Sequence, residues 1–149
     1  MPGTRALFPL DGSEPTLKAV EAGLKRLALI KDATATFLVV ASKNLRDMPE
    51  DAAEYLKYDD EDELIIRDDE ANAVLEKAVV IAKRLKFANH AKKVVVGRVY
   101  DGILAEAKAH DVLVMHRLDR VEVREKMRGG ILEKICRNSP CDVWLINTA

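Results

Sequence analysis

The fold of this chain is decided by residues 111–146, DVLVMHRLDRVEVREKMRGGILEKICRNSPCDVWLI. An apolar run opens the stretch at residues 112–115, and another closes it at residues 143–146. Between them lie a long charged loop, the pair Gly129-Gly130 and a pattern of helical spacing. Parallel strands need a crossover connection, which is usually a helix. The stretch therefore predicts a strand, a loop, a helix and a strand, with the loop placed where a phosphate site is commonly built.

The rest of the chain alternates apolar runs typical of strands with helical periodicity. Predicted strands span residues 6–10, 34–41, 93–96, 112–115 and 143–146. Predicted helices span residues 15–29, 69–87 and 103–109, and a fourth contains residues 131–136. Strands that alternate with helices indicate a parallel sheet. We therefore expect one α/β domain over residues 1–149, an open five-stranded parallel sheet with helices on both faces.

Helical spacing also predicts which side chains of the two long helices face the sheet. In the first helix they are Leu17, Val20, Leu24, Leu27 and Ala28. In the second they are Ala73, Val74, Ala78, Ile81, Ala82 and Leu85. The strands carry few polar residues, which is typical of strands buried on both faces. Ser13 precedes the first helix and is expected to be its N-cap.

Composition and charge exclude several classes of protein. Of the 149 residues, 48% are hydrophobic and 33% are charged, which is the profile of a soluble globular domain. The 24 basic and 25 acidic residues nearly cancel, so binding to nucleic acid is not predicted. No apolar run approaches the ~18 residues of a membrane span, and the N-terminus has no signal-like apolar core. We therefore expect a cytoplasmic protein without membrane insertion.

Neither the cysteines nor the acidic residues predict a metal site. Cys136 and Cys141 match no zinc pattern and are expected to be reduced structural thiols. The segment from residue 44 to residue 70 holds twelve acidic and three basic side chains, a net charge of −9. We interpret residues 44–68 as a solvated insert with a short helix around residues 52–58. The alternative is a loose cation site or a surface for a basic partner.

The order of these motifs resembles the universal stress protein family over nearly the whole chain. Nucleotide-binding members carry G-x-x-G-x9-G-[ST] between a strand that ends in Val-Met and a helix that leads into Pro-Cys and the last strand. In this chain Val114-Met115, the nine-residue spacer 120–128, Gly129 and Pro140-Cys141 fall in register. The resemblance implies a Rossmann-like fold of the adenine nucleotide alpha hydrolase type.

The resemblance also implies where a nucleotide would bind. In nucleotide-binding relatives, an aspartate after the first strand and the backbone after the second hold adenine and ribose, and the glycine loop holds the phosphates. The corresponding positions in this chain are Asp11, Val40, Met115, Gly129, Gly130 and Ile131. Any remodelled anion site would use the loop arginines Arg117, Arg120 and Arg128.

Three departures from the family pattern argue against ATP. His116 and Asp119 occupy the first two glycine positions, and Gly130 replaces the Ser/Thr. A non-glycine residue in a left-handed conformation costs roughly 1–2 kcal/mol. A carboxylate beside a triphosphate adds repulsion, and Gly130 removes a hydroxyl. The sequence therefore predicts no ATP binding and no cofactor.

Two functional hypotheses remain open. The first is a stress-response protein that acts through dimerisation and binding to a protein partner that the sequence does not name. The resemblance implies that the last strand, with Val143, Trp144, Leu145 and Ile146, pairs across the interface of a homodimer. The second is an adenine-nucleotide sensor with a remodelled phosphate loop. A nucleotide-hydrolysing enzyme is not predicted, because no catalytic motif supplies a nucleophile and base.

Overall fold

The computed structural model of the chain describes residues 3–42, 66–116 and 131–147. These residues contain six strands and four helices. Along the chain they are β1 (Arg5–Pro9), α1 (Glu14–Leu27), β2 (Thr34–Ser42), β3 (Ile66–Arg67), α2 (Asp68–Arg84), β4 (His90–Val96), α3 (Val99–Ala107), β5 (Val112–His116), α4 (Ile131–Asn138) and β6 (Asp142–Ile146).

Every pair of neighbouring strands is parallel, and β2 is paired on both sides. β1 pairs with residues 34–38 of β2 and β4 pairs with residues 35–41, so the two strands lie on opposite sides of β2. The strand order is therefore β4-β2-β1-β5-β6, and the two-residue β3 pairs with the end of β2 beyond β1. β4 and β6 are the two edge strands of the described sheet.

The core has two layers because the central strands are buried on both faces. On one face α1 and α2 cover a cluster that includes Phe8, Phe37 and Val114. The rings of Phe8 and Phe37 meet edge to face with centroids 5.7 Å apart. On the other face α3 and α4 cover a smaller cluster that includes Leu7 and Leu113. The predicted open parallel α/β sheet with helices on both faces is confirmed.

Several predicted boundaries and burials are corrected. β4 begins at His90, three residues before the predicted start, and α3 begins at Val99, four residues before its predicted start. The unpredicted strand β3 pairs through only two residues. Ala28 lies just past the end of α1 and is exposed, and Ala73 lies on the outer side of α2. In each case the sequence signal was weak, because alanine tolerates either side of a helix and the start of β4 is polar.

The sequence predicts that all strands are buried on both faces, and this prediction is wrong for β4. Its residues 91–94 are exposed, whereas residues 6–8 of β1 are buried. β4 is an edge strand, and α2 and α3 cover it only in part. The predicted insert at residues 44–68 and its short helix lie almost entirely outside the described residues. Only its last residues are seen, in β3 and at the start of α2.

An ion pair joins the beginnings of β1 and β5. The Arg5 backbone N–H and Nε both donate to Asp111 Oδ2, at 2.8 and 3.1 Å. The Asp111 backbone N–H donates in return to the Arg5 carbonyl at 2.8 Å. The arginine lowers the pKa of the Asp111 carboxyl through these hydrogen bonds. The two central strands are thus fixed in register at the end opposite their carboxyl ends.

Candidate functional site

The strand order places a ligand site at the end of β1. All strand pairs are parallel, so the carboxyl ends of β1, β2, β4 and β5 lie at one edge of the sheet. From β1 the chain continues to β2 on one side, and β5 lies on the other. In open α/β sheets, ligands bind outside the carboxyl ends of the strands where the order reverses in this way.

A cleft lies at this position, between the ends of β1 and β2 and the start of α3. Its volume is about 230 Å³, including the solvent at its open mouth. The lining residues are Pro9, Leu10, Asp11, Leu38, Val40, Val99 and Ile103. Asp11 is the only charged residue among them. Part of this volume is open solvent, so the cleft is shallow and a ligand bound there would stay partly exposed.

The turn after β1 holds Asp11 in a fixed position. Its Oδ1 accepts a hydrogen bond from the Ser13 backbone N–H at 2.8 Å and lies 3.1 Å from the Thr16 hydroxyl. Gly12 between them has a φ of 83°, which favours glycine. Ser13 is the N-cap residue of α1 as expected, but its hydroxyl makes no capping bond. Asp11 accepts from the N–H of Ser13 itself and from the Thr16 hydroxyl, and its Oδ2 bonds to no other described residue.

Close packing of α3 on β2 shapes the other wall of the cleft. Val40 is buried in β2 and faces Gly102 of α3. A Cβ atom on Gly102 would lie 2.8 Å from Val40 Cγ2, nearer than real Cβ atoms approach. The missing side chain therefore lets the first turn of α3, with Val99 and Ile103, close over the end of β2.

The end of β5 brings Met115 and His116 to the same edge of the sheet. Both side chains are half-buried. Met115 packs against the smaller core cluster, and His116 pairs in register with Ile146 of β6. The two residues end a regular strand, so an imidazole stands at the position of the first glycine of the family's motif.

The remaining predicted phosphate contacts lie mostly outside the described residues. These are Gly129 and Gly130 together with the loop arginines Arg117, Arg120 and Arg128. Ile131 is the first residue of α4, where the glycine pair was predicted to open a helix. The structure thus brings Asp11 and Val40 together in one cleft, with Met115 on a neighbouring strand.

The predicted interface strand has an open outer side. β6 pairs with β5, and no other described strand pairs with it. Leu145 is 47% exposed, and Val143 and Trp144 are half-buried. Ile146 is 1% exposed and packs in the larger core cluster. Three of the four predicted interface side chains therefore reach the surface, and Ile146 can contribute only through its backbone.

Sequence reasoning missed most of the cleft lining. Val99 and Ile103 were missed because α3 was predicted to begin four residues too late. A helix beginning at Val99 would have placed both side chains, four residues apart, on one face. The Asp-Gly-Ser turn could have predicted the contact between Thr16 and Asp11, since aspartate commonly accepts hydrogen bonds from residues just after it.

The described residues hold no catalytic or metal-binding cluster. His90 stacks on Phe37 with ring centroids 5.9 Å apart, and His110 Nδ1 lies 2.8 Å from the Glu106 carbonyl. Neither histidine is hydrogen-bonded to a described serine. Within the same ranges, no three potential metal ligands come together and Cys136 and Cys141 are free thiols. None of the described helices is long and apolar enough to cross a membrane.

Comparison with protein-family models matches the universal stress protein family over residues 4–147. The chain belongs to the universal stress protein family. This agrees with its open parallel sheet and with the cleft at the carboxyl ends of the strands. Comparison with curated protein sequences found no match.

Solved structures with similar folds include several universal stress proteins. One is a universal stress protein in complex with cAMP, which is 21% identical, covers 100% of each chain and has a TM-score of 0.71. The protein UspA from Lactobacillus plantarum is 16% identical over 98% of this chain and 99% of its own, with a TM-score of 0.61. A family member from Burkholderia pseudomallei is 18% identical over 96% and 95%, with a TM-score of 0.63. At these identities the likeness is one of fold.

Proposed function

We propose that this universal stress protein acts as a homodimer in protein interactions of the stress response, without binding ATP and without catalysing a reaction. The observation that carries the proposal is the open edge of β6. An unpaired apolar edge strand is a template for another chain, and a second copy is the partner always present at the same concentration. We further propose that the protein works in the cytoplasm, away from membranes and nucleic acids, in line with its balanced charge.

Pairing about a two-fold axis normal to the sheet would cover the exposed part of β6. Such an axis keeps each side chain on its own face of the sheet, so facing residues share parity. Centring the axis on Trp144 pairs all five residues of β6, which no other register does. Val143 then lies opposite Leu145 of the second copy on one face, and the two Trp144 side chains meet on the other. Cross-strand pairs of this kind stabilise by roughly 0.2–1 kcal/mol each.

The absence of ATP binding is supported by the sequence around the end of β5. His116 closes a regular strand where the family motif has its first glycine. Asp119 and Gly130 are the other two departures. The cleft beside Asp11 is also apolar apart from that carboxylate, so the described part of the site offers a triphosphate no cation.

Three measurements test the proposal. Sedimentation velocity over a range of concentrations should show a dimer, and a purely monomeric protein would contradict it. Isothermal titration with ATP, on protein freed of bound ligand, should give no heat. Denaturation of the protein as purified should release no nucleotide. Micromolar ATP binding would remove the second part of the proposal and leave the dimer untouched.

A second candidate function is sensing of an adenine nucleotide other than ATP. The observation that favours it is the Oδ2 of Asp11, which has no bond to another described residue and lies beside an apolar cleft that suits a ring with a donor group. A protein of similar fold was solved with cAMP, which carries a single phosphate. Titration with AMP and cAMP tests this candidate. Asp11→Asn keeps an acceptor for Ser13 but loses the charge, and it should weaken binding about tenfold, whereas the exposed Asp101→Asn should not.

A further inference from the structure

We propose that the open edge of β4 is a docking site for an acidic, extended segment of a partner protein, which joins the sheet as an additional strand. Among the described residues β4 pairs only with β2, along seven residues of one side. Val94 and Val96 are 36% and 46% exposed on this strand. Extended segments commonly bind by adding to such an edge, where main-chain hydrogen bonds supply affinity. The inference does not depend on the dimer through β6.

The edge belongs to a stretch of chain with one sign of charge. Residues 77–100 contain seven basic side chains, and no aspartate or glutamate. Three of the seven are neutralised by acids elsewhere in the chain. Lys92 lies 2.6 Å from Glu76, Lys93 lies 2.7 Å from Glu106 and Arg84 lies 2.8 Å from Glu21. Lys83 and Lys86 form no ion pair with another described residue, so the surface keeps positive charge.

The contact between Glu76 and Lys92 shows which side of α2 flanks the edge. Residues three and four apart share one side of a helix, so Glu76, Val80 and Lys83 form a stripe beside β4. Val80 is 62% exposed on this stripe. Successive side chains of a strand alternate between faces, so Lys92, Val94 and Val96 share the face towards α2. We call Val80, Lys83, Lys92, Val94 and Val96 together the basic edge.

Charge decides which kind of strand the basic edge accepts. Lys93 lies at the middle of β4, so a second copy paired antiparallel at its centre would place like charges opposite each other. Like charges in that position are destabilising, and lysine on an edge strand is a known guard against self-pairing. An acidic segment meets the opposite situation, because its carboxylates can share Lys92 and Lys93 with Glu76 and Glu106 and can reach Lys83 and Lys86, which form no ion pair with a described residue. The same side chains therefore disfavour a second copy and favour an acidic partner.

The two faces of β4 set the residue pattern of the partner. Side chains of an added strand alternate between faces, so one set lies with Lys92, Val94 and Val96 towards α2, and the other lies beside the half-buried Val95. Carboxylates in the first set would lie opposite Lys92 and reach towards Lys83 and Lys86 at the end of α2, and apolar side chains in the second set would pack beside Val95. The expected ligand is therefore an extended segment in which acidic residues alternate with valine or isoleucine.

The test uses the synthetic peptide EVEVEVE, with KVKVKVK as the control of opposite charge. Two-dimensional NMR of ¹⁵N-labelled protein should show that EVEVEVE shifts the amide signals of β4 and leaves those of β6 unchanged. The affinity should fall several-fold as salt rises from low to physiological concentration, because exposed charges are screened. Equal binding of KVKVKVK, or shifts only outside the basic edge, would overturn the proposal.

A charge reversal shows whether the lysines matter. Lys83→Glu with Lys86→Glu should weaken EVEVEVE roughly tenfold, since each exposed pair contributes a modest share. Lys18→Glu with Arg26→Glu makes the same change of net charge on exposed positions of α1 and should not weaken it. Thermal melting establishes that both variants are folded. Equal loss in both pairs, or concentration-dependent broadening at β4 without peptide, would overturn the acidic partner in favour of net charge or of a second copy.

Discussion

The two edge strands of the sheet, β4 and β6, differ in how far their side chains oppose pairing with another chain. β4 carries Lys92 and Lys93 near its centre, each held by a glutamate of a flanking helix. β6 has the sequence Asp-Val-Trp-Leu-Ile, without a basic residue, and leaves Leu145 47% exposed. Both strands pair on one side only within the described sheet. The contrast indicates that β6 is compatible with pairing to a second copy of the chain. The lysines of β4 disfavour pairing with a second copy and favour an acidic segment.

The largest expected effect comes from placing a charge on each edge in turn. Leu145→Arg should break the proposed dimer, because burial of leucine is lost and two arginines approach across the axis. We expect a loss of about 3 kcal/mol, or roughly 100-fold in the dimer Kd. Sedimentation equilibrium measures the change. Val94→Arg is the matched variant at the other edge and should leave the dimer intact. A dimer that survives Leu145→Arg would place the interface elsewhere.

A smaller effect is expected when the two central lysines of β4 are removed. Lys92→Ala with Lys93→Ala should lower the free energy of unfolding by about 2 kcal/mol, because both lysines are half-exposed but the Glu106 carboxylate, only 17% exposed, loses its partner. The unguarded edge should then link dimers into larger assemblies at high concentration, which sedimentation velocity detects. Lys18→Ala with Lys25→Ala removes two lysines from α1 and should not assemble. Unchanged association of the β4 variant would mean that lysine is not what protects this edge.

The smallest effect concerns acid stability at β4. The Lys92 ammonium donates a hydrogen bond to Glu76 and holds the pKa of that carboxyl below its ordinary value. A lowered pKa in the folded protein adds stability above the ordinary value, and this is lost as the pH falls through the lowered value. Glu76→Gln should therefore reduce stability slightly at neutral pH and not at strongly acidic pH. Urea unfolding at several pH values measures this difference.

Asp142→Asn on β6 provides the comparison for the loss of one carboxylate. Asp142 forms no ion pair with a described residue, so this variant removes a charge without removing a lysine contact. A pH-dependent loss of equal size in both variants would show that net charge, and not the contact to Lys92, sets the acid stability of the protein.

The fold was predictable because its signals are periodic and repeated. Each central strand is marked by several consecutive apolar residues, and α1 and α2 repeat their apolar spacing over several helical turns. A wrong assignment of one residue therefore does not change the predicted topology. The predictions were least accurate at the ends of the helices and strands and at the edge strands. The start of β4, His-Ala-Lys, has no strand pattern of its own and is held by pairing with residues 35–37 of β2, of which Ala35 and Phe37 are buried.

The candidate site was only partly predictable. Asp11 and Val40 were found through resemblance to the family, and the structure places both in one cleft. α3 packs closely on β2 because Gly102 has no side chain. The sequence does not show this, because it depends on the position of Val40, whose Cγ2 atom lies 2.8 Å from where a Cβ atom of Gly102 would be. The basic edge was missed for another reason. Whole-chain charge is balanced, and the separation of acids at 44–70 from bases at 77–98 appears only when charge is counted by segment.

The bond between Arg5 and Asp111 sets an order of events during synthesis. The two residues are 106 positions apart, and ribosomes add about 5–20 residues per second. The free side of β1 must therefore wait roughly 5–20 s for β5, and β2 has the chance to pair with the other side well before then. During this interval the nascent chain presents the centre of its future sheet as an unpaired edge. The protein thus passes through a stage at which a chaperone has the most to protect.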